Sequence, residues 1–212
     1  MKHIDAMLFD LDGVLVDACD WHYEALNRAL TSIGIEPISR EDHLTKYNGL
    51  PTAVKLDMLG LHEDECALVW KLKQDFTLET IAKHSKVQEE KIELFEELKK
   101  LNVKVVCVTN SIRETATEML RSTGQLDHIE FIISNEDVEN NKPEPDCYNF
   151  AVKKLDTKAE RCIIVEDSPK GLQAAESSDI PNKNIWRVQN SKEVTLENMR
   201  RYIDENFDSN GR

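Results

Sequence analysis

The chain has 212 residues, 40% of them hydrophobic and 32% charged, and its 40 acidic against 27 basic side chains give a formal net charge of −13. This acidic balance disfavours nucleic acid or an anionic membrane as the main partner, because phosphate contacts are made chiefly by Lys and Arg. The Met1-Lys2-His3 start leads into a short apolar run containing Asp5, so no signal peptide is expected, and no apolar stretch approaches the ~20 residues that span a bilayer.

The first part of the chain contains one strand followed by a long helical block. Ile4 to Phe9 is an apolar run broken only by Asp5, which predicts a buried strand. From residue 17 to residue 85 the apolar positions recur at helical spacing, and no strand is predicted there. Helices are predicted at 17–34, in two shorter pieces within 41–60, and at 63–83. This block is expected to be a helical cap domain.

From residue 86 onward, strand and helix patterns alternate. Apolar, β-branched strands are predicted at 103–109, 131–133, 162–165 and 185–188, with helices at 88–101, 112–122, 145–155, 169–177 and 192–206. Five short strands alternating with helices predict an α/β fold with a doubly wound, Rossmann-like parallel sheet. We expect a core domain of residues 1–16 and 86–212, into which the cap of residues 17–85 is inserted.

Polar side chains follow the predicted strands at the points where those strands end. In open parallel sheets, ligands bind beyond the carboxyl ends of the strands, so these side chains are expected to converge. They are Asp10 and Asp12 after the first strand, Thr109, Asn110 and Ser111 after the second, Lys142 in the loop after the third, and Glu166, Asp167 and Ser168 after the fourth.

Converging carboxylates require a cation. Each pair of carboxylates near 4 Å would repel by ~4 kcal/mol at an effective dielectric constant of 20. Oxygen ligands without a nearby His or Cys cluster favour Mg²⁺ over zinc or copper, and Lys142 adds a second positive charge. These cations and the Thr109 hydroxyl around a carboxylate suit phosphoryl chemistry, because the carboxylate can attack phosphorus while the phosphoryl oxygens are neutralised.

Four motifs of the chain together resemble those of the haloacid dehalogenase superfamily. In order, they are Asp10-Leu11-Asp12-Gly13-Val14, Thr109-Asn110, Lys142-Pro143 and Glu166-Asp167-Ser168. The initial acidic pair and the helical insert that follows it are similar to the β-phosphoglucomutase-like, small-cap branch. The resemblance covers nearly the whole chain, and the four motifs are specific as a set although each alone is weak.

The resemblance implies a role for each matching residue. Asp10 would be the nucleophile that forms an aspartyl-phosphate, and Asp12 the general acid and then the general base. Thr109 and the backbone amide of Asn110 would hold the phosphoryl oxygens. Lys142 would neutralise both the nucleophile and the phosphate.

The resemblance also implies a metal site. Magnesium would be bound by Asp10, the backbone carbonyl of Asp12, and Asp167, with Glu166 beside it. Mg²⁺ is therefore the expected cofactor, and a small phosphorylated molecule the expected binding partner.

The cap offers weaker signals. Gly49 matches the glycine of the family's cap substrate loop, whereas Thr52 stands where the mutases have an arginine that grips a second phosphate. His22 has two open interpretations: a satisfied core histidine, or a substrate-side residue near Asp12. For Lys73, a solvated helix lysine is preferred to a substrate-binding residue.

The leading hypothesis is a Mg²⁺-dependent phosphatase that acts on a small soluble phosphomonoester such as a sugar phosphate. The alternatives are a β-phosphoglucomutase-like phosphoryl-transfer enzyme and a catalytically idle binding relative. The five cysteines are odd in number and lack close metal-type spacing, which predicts reduced thiols and a cytoplasmic protein. A monomer is the default expectation.

Overall fold

A computed structural model of the chain describes residues 4–207, so the Met1-Lys2-His3 start lies outside the described residues. The chain divides into two compact units. One extends to Asp17 and resumes at Val87, and the other is Ala18–Lys86. These divisions lie one residue from the boundaries expected from the sequence.

The first unit is built on a five-stranded parallel sheet with the strand order β3-β2-β1-β4-β5. Its strands are β1 (Ala6–Phe9), β2 (Lys104–Val108), β3 (Phe131–Ile133), β4 (Cys162–Glu166) and β5 (Ile185–Arg187). In the central strand, Met7 lies opposite Val105 on one side and Ile163 on the other. The strand order reverses between β1 and β4, which is where such sheets bind ligands. The predicted α/β fold is confirmed.

The helices of the described chain follow the predicted order. They are α1 (Cys19–Ser32), α2 (Arg40–Asp42), α3 (Thr52–Met58), α4 (Glu63–His84), α5 (Glu89–Lys100), α6 (Arg113–Ser122), α7 (Asp146–Leu155), α8 (Pro169–Glu176) and α9 (Leu196–Phe207). Within the part of the chain that the structure describes, none of these helices combines the length and the apolar character needed to cross a bilayer.

The last helix begins later than the sequence predicts. The Asn190 side chain accepts a hydrogen bond from the Lys192 amide (3.1 Å) and starts a separate 3₁₀ turn over Ser191–Glu193. Helix α9 then begins at Leu196 rather than at residue 192. Asn competes locally for backbone donors, which is why it favours turns over helix interiors.

The second unit is helical, as expected. Its apolar cluster includes Leu26, Leu30, Leu56 and Val69, which lie on α1, α3 and α4. Between α2 and α3 the chain makes a π-helical turn over His43–Tyr47, closed by a hydrogen bond from the Asn48 amide to the His43 carbonyl (2.7 Å).

Candidate active site

Asp10 is held by the sheet itself. Its backbone amide donates to the Val165 carbonyl of β4 (3.0 Å), so strand pairing continues to this residue beyond the end of β1. The residue is only 7% exposed, and Lys142 Nζ donates to Asp10 Oδ1 (2.6 Å). Burial raises the pKa of the Asp10 carboxyl well above its usual value, and the charge of Glu166 raises it further while Lys142 opposes both. The predicted nucleophile therefore lies in a site that strongly favours added positive charge.

Lys142 lies between two buried carboxylates. Its side chain is 3% exposed, and its Nζ donates to Asp10 Oδ1, to Glu166 Oε2 (2.8 Å) and to the Val108 carbonyl (2.9 Å). Burial disfavours the ammonium, but the charges of Asp10 and Glu166 outweigh burial and hold the pKa of Lys142 well above its usual value. Lys142 is therefore a buried, charged residue with its three donors engaged.

Glu166 is the buried counterion of Lys142. Its Oε2 also accepts from the Tyr148 hydroxyl (2.8 Å), while Oε1 accepts from the amides of Asp167 (3.0 Å) and Ser168 (3.1 Å) and from the Ser168 hydroxyl (3.1 Å). Burial disfavours the Glu166 carboxylate, but Lys142 and these donors outweigh burial and hold its pKa below the usual value. Both oxygens of Glu166 are therefore occupied by protein donors.

Two glycines allow carboxylates to approach the backbone. A Cβ atom on Gly171 in α8 would lie 1.9 Å from Glu166 Oε2, and one on Gly13 would lie 2.1 Å from Asp167 Oδ2. Gly13 also has φ +90°, which side-chain-bearing residues rarely adopt. Any side chain at either position would displace an acidic group of the site.

The carboxylates of Asp10, Glu166 and Asp167 offer oxygen atoms that all lie within 4.8 Å of one another. Asp167 Oδ1 is buried without a hydrogen-bond partner among the described residues. Burial, with the nearby charge of Glu166, raises the pKa of Asp167 to about 7. A buried, unsatisfied carboxylate oxygen beside another carboxylate fits a hard divalent cation such as Mg²⁺. Asp10 and Asp167 are the better placed ligands, because the oxygens of Glu166 are already occupied.

The turn after β2 connects the other motifs. The Thr109 amide donates to the Ile133 carbonyl (2.8 Å), and the buried Thr109 hydroxyl accepts from the Ser111 amide (3.0 Å). The Asn110 side chain hydrogen-bonds the backbone of Lys142. Residues predicted at the ends of four strands are thus brought together at the carboxyl edge of the sheet.

Sequence reasoning assigned no role to three residues of this site. They are Ser111, whose hydroxyl donates to Asp12 Oδ2 (3.0 Å), Tyr148, which donates to Glu166, and Gly171, which packs on Glu166. Gly171 could have been identified from the sequence, because a glycine inside a predicted helix often indicates close packing against a neighbouring group. Tyr148 could not, since its helix position is equally typical of an ordinary core residue.

The predicted cap residues belong to the second unit. His22 is a half-buried residue of α1, Gly49 has φ +71° with open space around it, and Thr52 is the first residue of α3. The expectation that Lys73 is solvated is wrong, because the residue is only 6% exposed.

A family model described as haloacid dehalogenase-like hydrolase matches residues 7–184. The chain belongs to this family. The resemblance stated from its motifs is confirmed, as is the prediction that the protein is an enzyme of the haloacid dehalogenase-like hydrolases. The relatives that it matches include proteins named as a phosphatase, a putative pyrophosphatase and a β-phosphoglucomutase.

Two relatives illustrate the range of this haloacid dehalogenase-like group. A phosphorylated carbohydrates phosphatase of Thermotoga maritima is 28% identical over 202 residues, covering 89% of this chain and 87% of that protein. A β-phosphoglucomutase of Bacillus subtilis is 27% identical over 194 residues, covering 82% and 79%. Among solved structures, a β-phosphoglucomutase from Clostridium difficile has a TM-score of 0.76 at 24% identity, covering 95% of this chain and 98% of that one. That similarity establishes the fold.

Proposed function

We propose that the protein is a Mg²⁺-dependent phosphatase that hydrolyses a small phosphomonoester through an aspartyl-phosphate on Asp10. The observation that supports this proposal most directly is the buried contact between Lys142 Nζ and Asp10 Oδ1 at 2.6 Å. An ammonium held there by Glu166 keeps positive charge beside the carboxylate and beside any phosphoryl group that this carboxylate attacks. Such a fixed, water-excluded charge suits a nucleophilic carboxylate better than it suits a simple structural ion pair.

The reaction proceeds in two steps carried by residues of this chain. Asp10 attacks phosphorus, the bond from phosphorus to the leaving oxygen breaks, and Asp12 gives its proton to that oxygen. Asp12 then accepts a proton from water as that water attacks the aspartyl-phosphate, which releases inorganic phosphate and restores Asp10. The Thr109 hydroxyl and the Asn110 amide are proposed donors to the phosphoryl oxygens.

Asp10, the Asp12 carbonyl and Asp167 would hold the metal. When bound, Mg²⁺ supplies positive charge that favours the ionised Asp10 carboxylate and neutralises the phosphoryl oxygens. We infer that Glu166 contributes mainly by holding Lys142, because its oxygens already accept from Lys142, Tyr148 and the turn that follows β4. The direct ligands would then be Asp10, the Asp12 carbonyl and Asp167, with Glu166 beside them, which is the arrangement that the family resemblance implies.

A phosphatase is favoured over a mutase by Thr52. The family's mutases use an arginine at this position for a second phosphate, and threonine carries no charge. The Thermotoga maritima relative, named for phosphorylated carbohydrates, supports a sugar phosphate as the substrate class. Net conversion of a hexose 1-phosphate to its 6-phosphate, without phosphate release, would instead support the mutase alternative.

The test is phosphate release from a panel of phosphomonoesters, measured with Mg²⁺ and with EDTA. Turnover is expected only with Mg²⁺, and Asp10→Asn is expected to abolish it. Asp5→Asn is the matched control, because Asp5 precedes the same strand at its other end, where it accepts from Thr157 and Arg161. Full activity in Asp10→Asn would refute the mechanism, and phosphate binding without turnover across the panel would support the idle relative.

A further inference from the structure

Ser111 makes a side-chain contact with the proposed acid/base residue from a distant part of the chain. Its Oγ donates to Asp12 Oδ2 at 3.0 Å, although 99 positions separate the two residues. Asp12 follows β1 and Ser111 follows β2, so the contact connects the ends of two neighbouring strands. Ser111 lies outside the set of residues to which the proposed mechanism assigns a role.

The backbone around Ser111 is fixed on both sides. Its amide donates to Thr109 Oγ1 (3.0 Å), and its carbonyl accepts from the Asn135 amide (3.3 Å). Two residues later, the Arg113 amide at the start of α6 donates to Glu136 Oε2 (2.6 Å). The hydroxyl is therefore presented from a held turn, which is the support that an oriented functional group requires.

A serine hydroxyl in this position has a defined effect on a carboxyl group. When it donates to Oδ2, it favours the arrangement in which the acidic proton is carried by the other oxygen, Oδ1, because Oδ2 is already serving as an acceptor. After the proton has moved to the leaving oxygen, the same bond becomes a stronger, charge-assisted one to the carboxylate. The contact therefore favours a proton on Oδ1 in the acid and stabilises the carboxylate that proton transfer leaves behind.

We propose that Ser111 is a positioning residue that holds Asp12 for proton transfer to the leaving oxygen. This inference rests on the proposed function, in which Asp12 is the general acid and base. The competing explanation is a purely structural hydrogen bond, which would matter equally for every substrate. The two explanations differ in how the loss of activity in Ser111→Ala should depend on the leaving group of the substrate.

The experiment compares two substrates in the full-length protein with Mg²⁺. One is p-nitrophenyl phosphate, whose leaving anion is stable without a proton, and the other is the alkyl phosphomonoester that the panel identifies as hydrolysed fastest. The value of kcat/KM is used because it reports the steps up to departure of the leaving group. Ser111→Ala is expected to lower kcat/KM about 10- to 100-fold for the alkyl ester, as part of the 10²–10⁴ that general acid catalysis supplies, and at most about threefold for the aryl ester.

Two further variants serve as controls. Ser111→Thr keeps a hydroxyl and is expected to restore most of the alkyl-ester activity. Ser122→Ala removes another hydrogen bond from a serine to a carboxylate, that from Ser122 Oγ to Glu118 Oε1 (2.9 Å) on α6. It is expected to leave kcat/KM unchanged for both substrates. Crystal structures of wild type and Ser111→Ala should show the Asp12 carboxylate displaced in the variant, which is a readout independent of turnover.

An equal loss for both substrates, or an Asp12 carboxylate that keeps its position in Ser111→Ala, would overturn the proposal. Failure of the proposed function looks different, because wild type would then release no phosphate from any member of the panel. In that case Asp12 has no proton to transfer to a leaving group, and the positioning role of Ser111 is refuted together with the proposed function.

Discussion

The Asn110 side chain forms two hydrogen bonds with the backbone of Lys142. Its Nδ2 donates to the Lys142 carbonyl (3.1 Å), and its Oδ1 accepts from the Lys142 amide (3.1 Å). The turn after β2 thereby fixes the residue whose ammonium contacts Asp10 and Glu166. The resemblance to the family assigned Asn110 a role through its backbone amide, whereas the structure gives its side chain a separate role.

Asn110→Ala should lower kcat by about 10- to 100-fold, because a misplaced catalytic group can cost about 10²-fold. Loss of the paired hydrogen bonds should also cost about 1–3 kcal/mol of unfolding free energy. Asn27→Ala is the matched control, since Asn27 makes the same pair of bonds to the backbone of Ile38 within the second unit (3.0 and 2.9 Å). Urea unfolding and phosphate release are to be measured on both. Equal kcat losses in the two variants would contradict a specific role for Asn110.

Gly13→Ala should abolish activity and weaken Mg²⁺ binding, because the new Cβ atom would collide with Asp167 Oδ2. Gly34→Ala is the control, since Gly34 has a similar φ of +79° but no atom within 4 Å of the added Cβ. Backbone strain of roughly 1–2 kcal/mol is expected in both variants. Mg²⁺ titration by calorimetry, with phosphate release, separates the two effects. Unchanged Mg²⁺ affinity in Gly13→Ala would argue against Asp167 as a ligand.

Lys142→Met should lower the unfolding free energy at pH 8 by about 3–5 kcal/mol, because it leaves the Asp10 and Glu166 carboxylates buried without their cation. In this variant the pKa values of the Asp10 and Glu166 carboxyl groups should be higher in the folded state than in the unfolded chain. The folded state then binds protons that the unfolded state does not, so stability should recover as pH falls from 8 towards 5.

A second buried lysine provides the control for Lys142→Met. Lys91 Nζ donates to the Ser191 and Val194 carbonyls rather than to carboxylates, so Lys91→Met should lose stability without recovering it in acid. Urea unfolding in EDTA across this pH range measures both variants relative to wild type. Parallel pH profiles for the two variants would contradict the assignment of Lys142 as the counterion of both acids.

The burial of His43 should lower the unfolding free energy of the protein in acid. This residue is fully buried, and burial together with the positive charge of Lys55 lowers its pKa to about 4. Between this value and the ordinary value of about 6.5, the unfolded chain binds a proton that the folded chain does not. Wild type should therefore lose about 2–3 kcal/mol relative to His43→Gln as pH falls from 7.5 to 4.5. A constant difference between the two proteins over that range would show that His43 titrates normally.

The sequence was sufficient to predict the sheet and the position of the site. Apolar β-branched runs define the strands, and parallel topology places the residues that follow them at one edge. Asp10, Thr109 and Lys142 could therefore be expected to meet. The pairings of Ser111 with Asp12 and of Tyr148 with Glu166 could not be predicted, because a hydroxyl in a loop or helix carries no signal that identifies its partner. The burial of Lys73 was missed for a related reason, since lysine is rarely buried.

The central position of β1 has a consequence for how the protein is made. Ala6 pairs with Lys104 on one side and with Cys162 on the other, so the first strand to be synthesised gains its second neighbour only after most of the chain exists. Such non-local pairing slows folding and leaves an apolar strand exposed to association with other chains in the meantime. Lys142 likewise gains Glu166, the second of its two carboxylate partners, only when β4 has joined the sheet. Because Glu166 on this strand helps to hold Lys142 beside Asp10, hydrolytic activity would report whether β4 has joined the sheet.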